Sequence, residues 1–239
     1  MLFAATSDVH SPRYFLEFAA ALGRHRDECS RVKLFIFAGD MVEKGNVAAL
    51  RPVIKAVRGN CPSARIVAVF GNEEYMDREH EFVRNYPEIV WLNDSYMTLE
   101  YGDMRVAVYG TRGAIDKPTT WQARHIPNIR RIYAERVRKL REQVLRLKRQ
   151  GFNVIVVMHY APTTLTIEGE DPRIWPYLAS HAMEEAIRET QPDIVVHGHA
   201  HHAKRLEAVI GRSIVVNVAF PARRDIYINK LPMSNGRLC

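Results

Sequence analysis

The fold is decided by the stretch LFAATSDVH at residues 2–10, where an apolar strand pattern ends on an Asp-x-His pair. The same arrangement returns in KLFIFAGD at residues 33–40 and in RIVAVFGN at residues 65–72. Helical patterns separate the three apolar runs, and the order βαβαβ predicts a parallel sheet. The predicted elements are strands at residues 2–6, 33–37 and 65–70 and helices at residues 14–25 and 47–58.

The second half of the chain adds antiparallel pairing to this α/β pattern. Two β-hairpins are predicted, at residues 96–100 with 105–109 around Gly102-Asp103 and at residues 204–209 with 213–218 around Gly211-Arg212. Between them lie a strand at residues 153–158, a helix at residues 182–189 and a strand at residues 193–196. A mixed sheet follows, and with no internal repeat we expect a single domain over residues 1–239.

Composition indicates an ordinary globular protein, with 47% hydrophobic and 26% charged residues. No apolar run approaches the roughly 18 residues of a membrane helix, and no signal peptide precedes the first strand, so a cytoplasmic protein without a membrane partner is expected. The three cysteines, Cys29, Cys61 and Cys239, lack CxxC spacing. We expect them to be reduced thiols without a role.

The net charge of +7 is concentrated in one segment, because residues 124–150 hold ten Arg or Lys against two Glu. A helix is predicted at residues 129–150, with Asn128 as its N-cap and Gly151 at its end. An apolar stripe from Ile129 to Leu147 would pack on the core or form an oligomer interface. The basic face is either solvated surface or a binding surface for nucleic-acid phosphates.

Polar residues with ligand chemistry follow the predicted strands. They are Asp8, His10, Asp40, Asn72, His159, His199 and His201. Taken singly they are ambiguous, since Asp8 could cap a helix, Asn72 could make a turn and His159 could be a core histidine. Together they converge, because loops beyond the carboxyl ends of parallel strands meet in one crevice.

Two carboxylates, an amide oxygen and imidazoles form a nitrogen and oxygen donor set large enough for two divalent ions. Without a thiolate, Mn²⁺, Fe, Zn²⁺, Ni²⁺ or Co²⁺ fit this set better than Ca²⁺. Two such ions about 3.5–4 Å apart activate water for in-line displacement at phosphorus. The sequence therefore predicts phosphoryl chemistry.

The motifs DxH, GD, GN, a lone His and GHxH occur here in the order of the calcineurin-like metallophosphoesterases, which the chain resembles from residue 8 to residue 201. The resemblance implies a four-layer αββα sandwich and attack on the ester by a metal-bridging hydroxide. It places Asp8, His10 and His201 on one metal and Asn72, His159 and His199 on the other, with Asp40 bridging. His197 and His202 match no ligand position and would be supporting or surface residues.

One position departs from the family pattern, which commonly has His after Gly-Asn. This chain has Glu73-Glu74-Tyr75, so the imidazole credited with protonating the leaving group is absent. Asp40, Asn72 and Glu73 are the candidate catalytic residues, although a carboxylate at Glu73 would more readily stay ionised and repel phosphate than act as an acid.

The resulting hypothesis is a Mn²⁺-type phosphodiesterase that prefers esters with good leaving groups. One alternative is a nuclease that binds DNA or RNA through the basic helix at residues 129–150, and another is a non-catalytic scaffold of the same fold. Aromatic pocket walls are expected from Tyr14, Tyr75, Trp121, Tyr160 and Trp175 if their loops surround the metals.

Overall fold

The computed structural model describes residues 1–231, which form eleven strands and eight α-helices. The strands are β1 Leu2–Thr6, β2 Leu34–Ala38, β3 Arg65–Val69, β4 Ile89–Trp91, β5 Ser95–Tyr101, β6 Met104–Thr111, β7 Asn153–Met158, β8 Ile194–His197, β9 Glu207–Ile210, β10 Ser213–Asn217 and β11 Tyr227–Lys230. The helices are α1 Phe15–Arg24, α2 Arg26–Cys29, α3 Leu50–Asn60, α4 Glu79–Asn85, α5 Thr120–His125, α6 Ile129–Arg149, α7 His181–Thr190 and α8 Phe220–Arg223.

The strands form two mixed sheets. The first has the order β11-β1-β2-β3-β4, and all its pairs are parallel except that of β1 with β11. The second has the order β5-β6-β7-β8-β10-β9, with the two predicted hairpins as antiparallel pairs at its edges. The carboxyl ends of β1, β2 and β3 and those of β7 and β8 carry the predicted site residues.

Strand alternation separates the first sheet into two apolar faces. On β2, Phe35 and Phe37 pack with the buried faces of α1 and α3, whereas Leu34 and Ile36 face the second sheet. Because successive side chains of a strand point to opposite faces, one apolar run serves two layers of the core. This double burial explains why the run has no polar residue.

The second sheet repeats the arrangement toward α6 and α7. Ile155 and Val157 of β7 join the core between the sheets, and Val154 and Val156 pack under the two helices. Three apolar layers between four layers of secondary structure confirm the expected αββα sandwich. The apolar stripe of α6 is buried in the third layer, so it serves the core and not an interface.

The predicted helix at residues 129–150 is confirmed as α6, Ile129–Arg149, with a different N-cap geometry. Asn128 holds the N-cap position, but its backbone is left-handed and its side chain makes no capping hydrogen bond. β4 and β11 were not predicted, because strands of three and four residues carry too short a pattern to stand out. No helix within residues 1–231 has the length and apolarity needed to cross a bilayer.

The expectation of three free thiols is wrong for two of them. Cys29 at the end of α2 and Cys61 after α3 form a disulfide, with their Cα atoms 4.6 Å apart. Cys239 lies outside the described residues. The pairing was not readable from spacing, because it depends on where two helices end.

Candidate metal centre

The strand-end residues meet at one edge shared by the two sheets. They are Asp8 and His10 after β1, Asp40 after β2, Asn72 after β3, His159 after β7, and His199 and His201 after β8. The loops hold one another, since the Asp8 N–H donates to the Gly39 carbonyl at 3.0 Å and the Gly198 N–H donates to the His159 carbonyl at 3.1 Å. The His199 N–H donates to Oδ2 of Asp8 at 2.9 Å and joins the two sets of loops.

The first group of candidate ligands is Asp8, His10 and His201, whose donor atoms lie within 4.8 Å of one another. Nε2 of His201 lies 2.9 Å from Oδ1 of Asp8, and Nε2 of His10 lies 3.8 Å from the same oxygen. Asp8 is fully buried, and the buried Nε2 of His10 has no hydrogen-bond partner among residues 1–231. A buried ring nitrogen without a partner fits a cation ligand, because leaving it unsatisfied is costly.

The second group is Asp40, His159 and His199, again within 4.8 Å. Nε2 of His159 lies 3.4 Å from Oδ2 of Asp40 and 3.0 Å from Oδ1 of Asn72. Nδ1 of His159 donates to the Ala38 carbonyl at 3.0 Å, which leaves Nε2 as the coordinating atom. Asp40 also lies 4.0 Å from His10, between the two groups, where a bridging ligand would lie.

The backbone at these positions is unusual, because four of the seven candidate ligands have positive φ angles. They are Asp8 at 56°, His10 at 43°, Asp40 at 52° and His199 at 72°. Non-glycine residues rarely adopt this conformation, and it is concentrated at functional sites. Here it turns side chains out of the strand direction and into the shared edge.

Close packing around the carboxylates requires glycine at two positions. A Cβ at Gly71 would lie 2.1 Å from Oδ1 of Asp40, and one at Gly198 would lie 2.3 Å from Oδ2 of Asp8. Both contacts are far shorter than real Cβ atoms show. The Gly of the Gly-Asn and Gly-His pairs therefore makes room for the carboxylates of neighbouring loops.

Comparison with known proteins agrees with this geometry. The sequence profile of the calcineurin-like phosphoesterases matches residues 1–203. The chain belongs to this family. It therefore belongs to the metal-dependent phosphoester hydrolases, and its two groups of candidate ligands match the dinuclear-metal dependence of this family. No curated protein has a sequence that matches the chain.

Solved structures share the fold of this phosphoesterase at low sequence identity. A putative 5′-nucleotidase from Staphylococcus aureus superposes with a TM-score of 0.59 at 17% identity, over 95% of this chain and 50% of that one. The phosphopantetheinyl hydrolase from Mycobacterium tuberculosis superposes with a TM-score of 0.63 at 14% identity, over 93% of this chain and 90% of that one. A dimetal phosphatase from Danio rerio superposes with a TM-score of 0.58 at 12% identity, over 91% of this chain and 86% of that one. The chain thus spans about half of the nucleotidase and most of the other two.

Histidines outside the motifs have supporting or surface positions in the phosphoesterase. His197 is fully buried, with Nε2 2.7 Å from Oγ1 of Thr166 and Nδ1 2.9 Å from the Gly198 carbonyl. Burial lowers its pKa to about 4. His202 is exposed, and its N–H donates to Oε1 of Glu170 at 2.7 Å.

At the phosphoesterase centre, burial and the neighbouring charges shift the pKa values of Asp8 and His159 in opposite directions. Burial raises the pKa of Asp8, but the neighbouring histidines outweigh it and hold the pKa well below its usual range. Burial lowers the pKa of His159, yet the charge of Asp40 prevails and raises it to about 9. Burial lowers the pKa of His199 to about 3. A cation held here would face an ionised Asp8 and a neutral His199, and it would take the place of a proton on His159.

Glu74 is a structural residue of the site that sequence reasoning did not single out. Its buried carboxylate accepts from the backbone N–H groups of Asp40 at 2.8 Å, Met41 at 2.7 Å and Gly71 at 2.8 Å. Burial, together with the charge of Asp40, raises its pKa to about 7. Glu74 therefore ties the loops after β2 and β3 together directly beneath Asp40.

Glu73 points the other way, toward a cleft of about 840 Å³. Its backbone N–H donates to Oδ1 of Asp40 at 2.7 Å, and its carboxylate accepts from the Lys44 N–H at 2.6 Å. Asn72 and His199 also line the cleft, which therefore opens on the metal centre.

The aromatic cleft walls are partly as expected. Tyr75, Trp121 and Tyr160 line the cleft. Tyr14 packs instead against the first helical layer, and Trp175 packs on a small cluster around Ala200. Neither side chain lines the cleft, although Tyr177, two residues after Trp175, does.

Proposed function

We propose that this chain is a phosphodiesterase that uses two divalent ions of the Mn²⁺ type on esters with good leaving groups. Residues 1–239 would act as one domain, with Asp8, His10 and His201 on one ion, Asn72, His159 and His199 on the other, and Asp40 on both. Two carboxylates, an amide oxygen and four imidazoles suit such ions. When bound, they supply the charge that activates water and stabilises the phosphate.

The observation that carries the proposal is the position of Glu73. Glu73 lines the cleft beside Asn72, at the position where the family commonly has an imidazole. A carboxylate there repels a dianionic monoester more strongly than a monoanionic diester, because the repulsion scales with the product of the charges. It also provides no ready proton for the leaving group, so esters that leave as stable anions are favoured.

The test is a substrate panel run with several metals. We expect the purified protein with Mn²⁺ to hydrolyse bis(p-nitrophenyl) phosphate faster than p-nitrophenyl phosphate, and both faster than glycerol phosphate. Zn²⁺, Ni²⁺ and Co²⁺ are compared in parallel, and Asp40→Asn is the control that removes the shared carboxylate. Faster hydrolysis of the alkyl monoester than of the aryl diester contradicts the proposal.

A nuclease is the second candidate, and cations on α5 and at the start of α6 favour it. Most basic residues of this helix are already paired, as Arg138 is with Glu135 and Glu142 and Arg141 is with Glu189. By contrast, three arginines line a groove next to the cleft, and within residues 1–231 their side chains form neither a hydrogen bond nor an ion pair. They are Arg124, Arg130 and Arg131.

This candidate is tested by salt dependence. If the three arginines contact phosphates, the affinity for single-stranded DNA falls as salt is added. A plot of log binding constant against log salt concentration then has a slope of about −0.7 for each contact. The triple alanine variant at these positions then has a shallower slope, whereas Arg141→Ala, which removes a paired cation of α6, keeps the wild-type slope. Absence of binding at low salt eliminates the nuclease.

A further inference from the structure

Trp121 lies in the wall of the cleft with 62% of its surface exposed. Its ring stacks on His125, with centroids 4.9 Å apart and planes inclined by 22°. Burying a side chain of this size would favour folding, so an exposed indole has to be held out by its surroundings. The question is whether the exposure is built into the fold.

The helix that carries this pair is held in place at both ends. α5 has only six residues, and helices of this length are not stable by themselves. A capping box fixes its start, in which the side chains of Thr119 and Gln122 each accept from the backbone N–H of the other. At its end, Nδ1 of His125 donates to the Trp121 carbonyl at 2.8 Å. The stacked pair is therefore a preformed surface.

Gln122 connects this surface to the metal centre. Its side chain is buried, donates to the Tyr160 hydroxyl at 2.9 Å and accepts from the Tyr133 hydroxyl at 3.1 Å. The Tyr160 ring lies 4.8 Å from that of His199, a candidate metal ligand. Buried and fully bonded networks of this kind are rigid, so the platform is fixed relative to the ligands.

The cleft that Trp121 shares with Asn72 and His199 has the size of a small-molecule site, at about 840 Å³. Tyr75 and Met76 also line it and expose large apolar side chains. A substrate whose phosphate lies on the metal centre would thus place its remaining group among these side chains. Flat, apolar faces are the partners that such walls bind best.

We propose that Trp121, stacked on His125, is a platform for a planar ring carried by the ester substrate, and that the ring is a nucleobase. The inference rests on the proposed phosphodiesterase function, since it names the substrate class of the same site. A nucleobase offers a π-face for stacking and is joined to its phosphate by a sugar that spans the distance to the cleft wall. Trp121 is a binding residue and touches no reacting atom.

The experiment compares esters that share the p-nitrophenolate leaving group and differ in the group that stays on phosphorus. These are the p-nitrophenyl ester of thymidine 5′-monophosphate, phenyl p-nitrophenyl phosphate and methyl p-nitrophenyl phosphate. The variants are Trp121→Ala, Trp121→Phe, which keeps a ring, and Trp175→Phe, which changes a tryptophan outside the cleft. A fluorescence titration with thymidine 5′-monophosphate reports binding without turnover.

We expect Trp121→Ala to raise KM for the thymidine ester by about tenfold relative to the methyl ester, with partial recovery in Trp121→Phe. Nucleotide should quench the fluorescence of the wild type and of Trp175→Phe, and not that of Trp121→Phe. An unchanged KM ratio together with unchanged quenching in the Trp121 variants overturns the platform. An equal effect on the phenyl and thymidine esters overturns the nucleobase assignment.

Failure of the proposed function is recognisable separately. If the wild type and Trp175→Phe hydrolyse none of the three esters with any metal, the phosphodiesterase proposal is wrong. The fluorescence titration then still decides for or against the platform.

Discussion

Replacing Gly71 with alanine would place a methyl group 2.1 Å from Oδ1 of Asp40 and 2.5 Å from its backbone nitrogen. Real Cβ contacts are essentially never shorter than 3.0 Å, so Oδ1 of Asp40 has to move by about 0.9 Å and its backbone nitrogen, with the loop, by about 0.5 Å. The nitrogen cannot swing away as a flexible side chain could. The shift also strains the hydrogen bonds that Glu74 accepts from Asp40 and Gly71.

Two magnitudes follow from this displacement. Overpacking of a close contact costs about 1–3 kcal/mol of unfolding free energy. A displacement near 1 Å at a catalytic group costs about a hundredfold in rate, so kcat/KM should fall much further than stability does. Urea unfolding and Mn²⁺-dependent hydrolysis of bis(p-nitrophenyl) phosphate measure the two effects on the same preparation.

Gly59→Ala is the matched control. Gly59 is an exposed residue of α3, and a methyl group added there would meet no neighbouring part of the protein within 4 Å. The substitution should therefore stabilise the protein by up to about 1 kcal/mol and leave kcat/KM unchanged. If Gly71→Ala keeps the wild-type rate while folded, the close approach of the loops after β2 and β3 does not control the centre, and the reasoning is refuted.

Three further predictions concern charge and crosslinking. Glu73→Gln should raise the ratio of monoester to diester hydrolysis rates by roughly fivefold, because it removes about 1 kcal/mol of repulsion. The substrate panel measures this ratio. The hydrogen bond to Asp225 raises the pKa of His25 above its unfolded value of about 6.5, so its stabilisation is complete below that pH and disappears as pH rises through the folded pKa. The difference in Tm between the wild type and Asp225→Asn should therefore be larger in acidic buffer and smaller in alkaline buffer. Cys29→Ser opens a crosslink between residues 32 apart and should lower the unfolding free energy by about 3–4 kcal/mol in urea without changing kcat/KM.

The sequence was sufficient for the αββα layers because buried strands leave a strong signal. The runs around Phe35 and Val156 are apolar at every position, which is typical of strands covered on both faces. β4 escaped detection, since three residues at a sheet edge carry no period. The disulfide between Cys29 and Cys61 escaped as well, because it depends on where α2 and α3 end in the fold, not on spacing.

The candidate ligands could be predicted because each follows a strand whose end is fixed by topology. What surrounds them could not be predicted in the same way. The role of Glu74 depends on three backbone N–H groups from two loops, and backbone groups leave no residue-type signal. The exposure of Trp121 depends on the buried Gln122, a polar residue that sequence patterns assign to the surface.

The two adjacent carboxylates that replace the family's histidine have separate consequences. From sequence, Glu73 and Glu74 together would place two negative charges beside the phosphate. The structure turns Glu74 inward, where backbone N–H groups and a raised pKa reduce its effect on the cleft, and leaves Glu73 as the one of the two adjacent glutamates that lines the cleft. One carboxylate beside two cations still permits a monoanionic diester to bind, whereas a dianionic monoester meets twice the repulsion. On the proposed function, the substitution that removes the imidazole would therefore select among phosphate esters through the charge of Glu73.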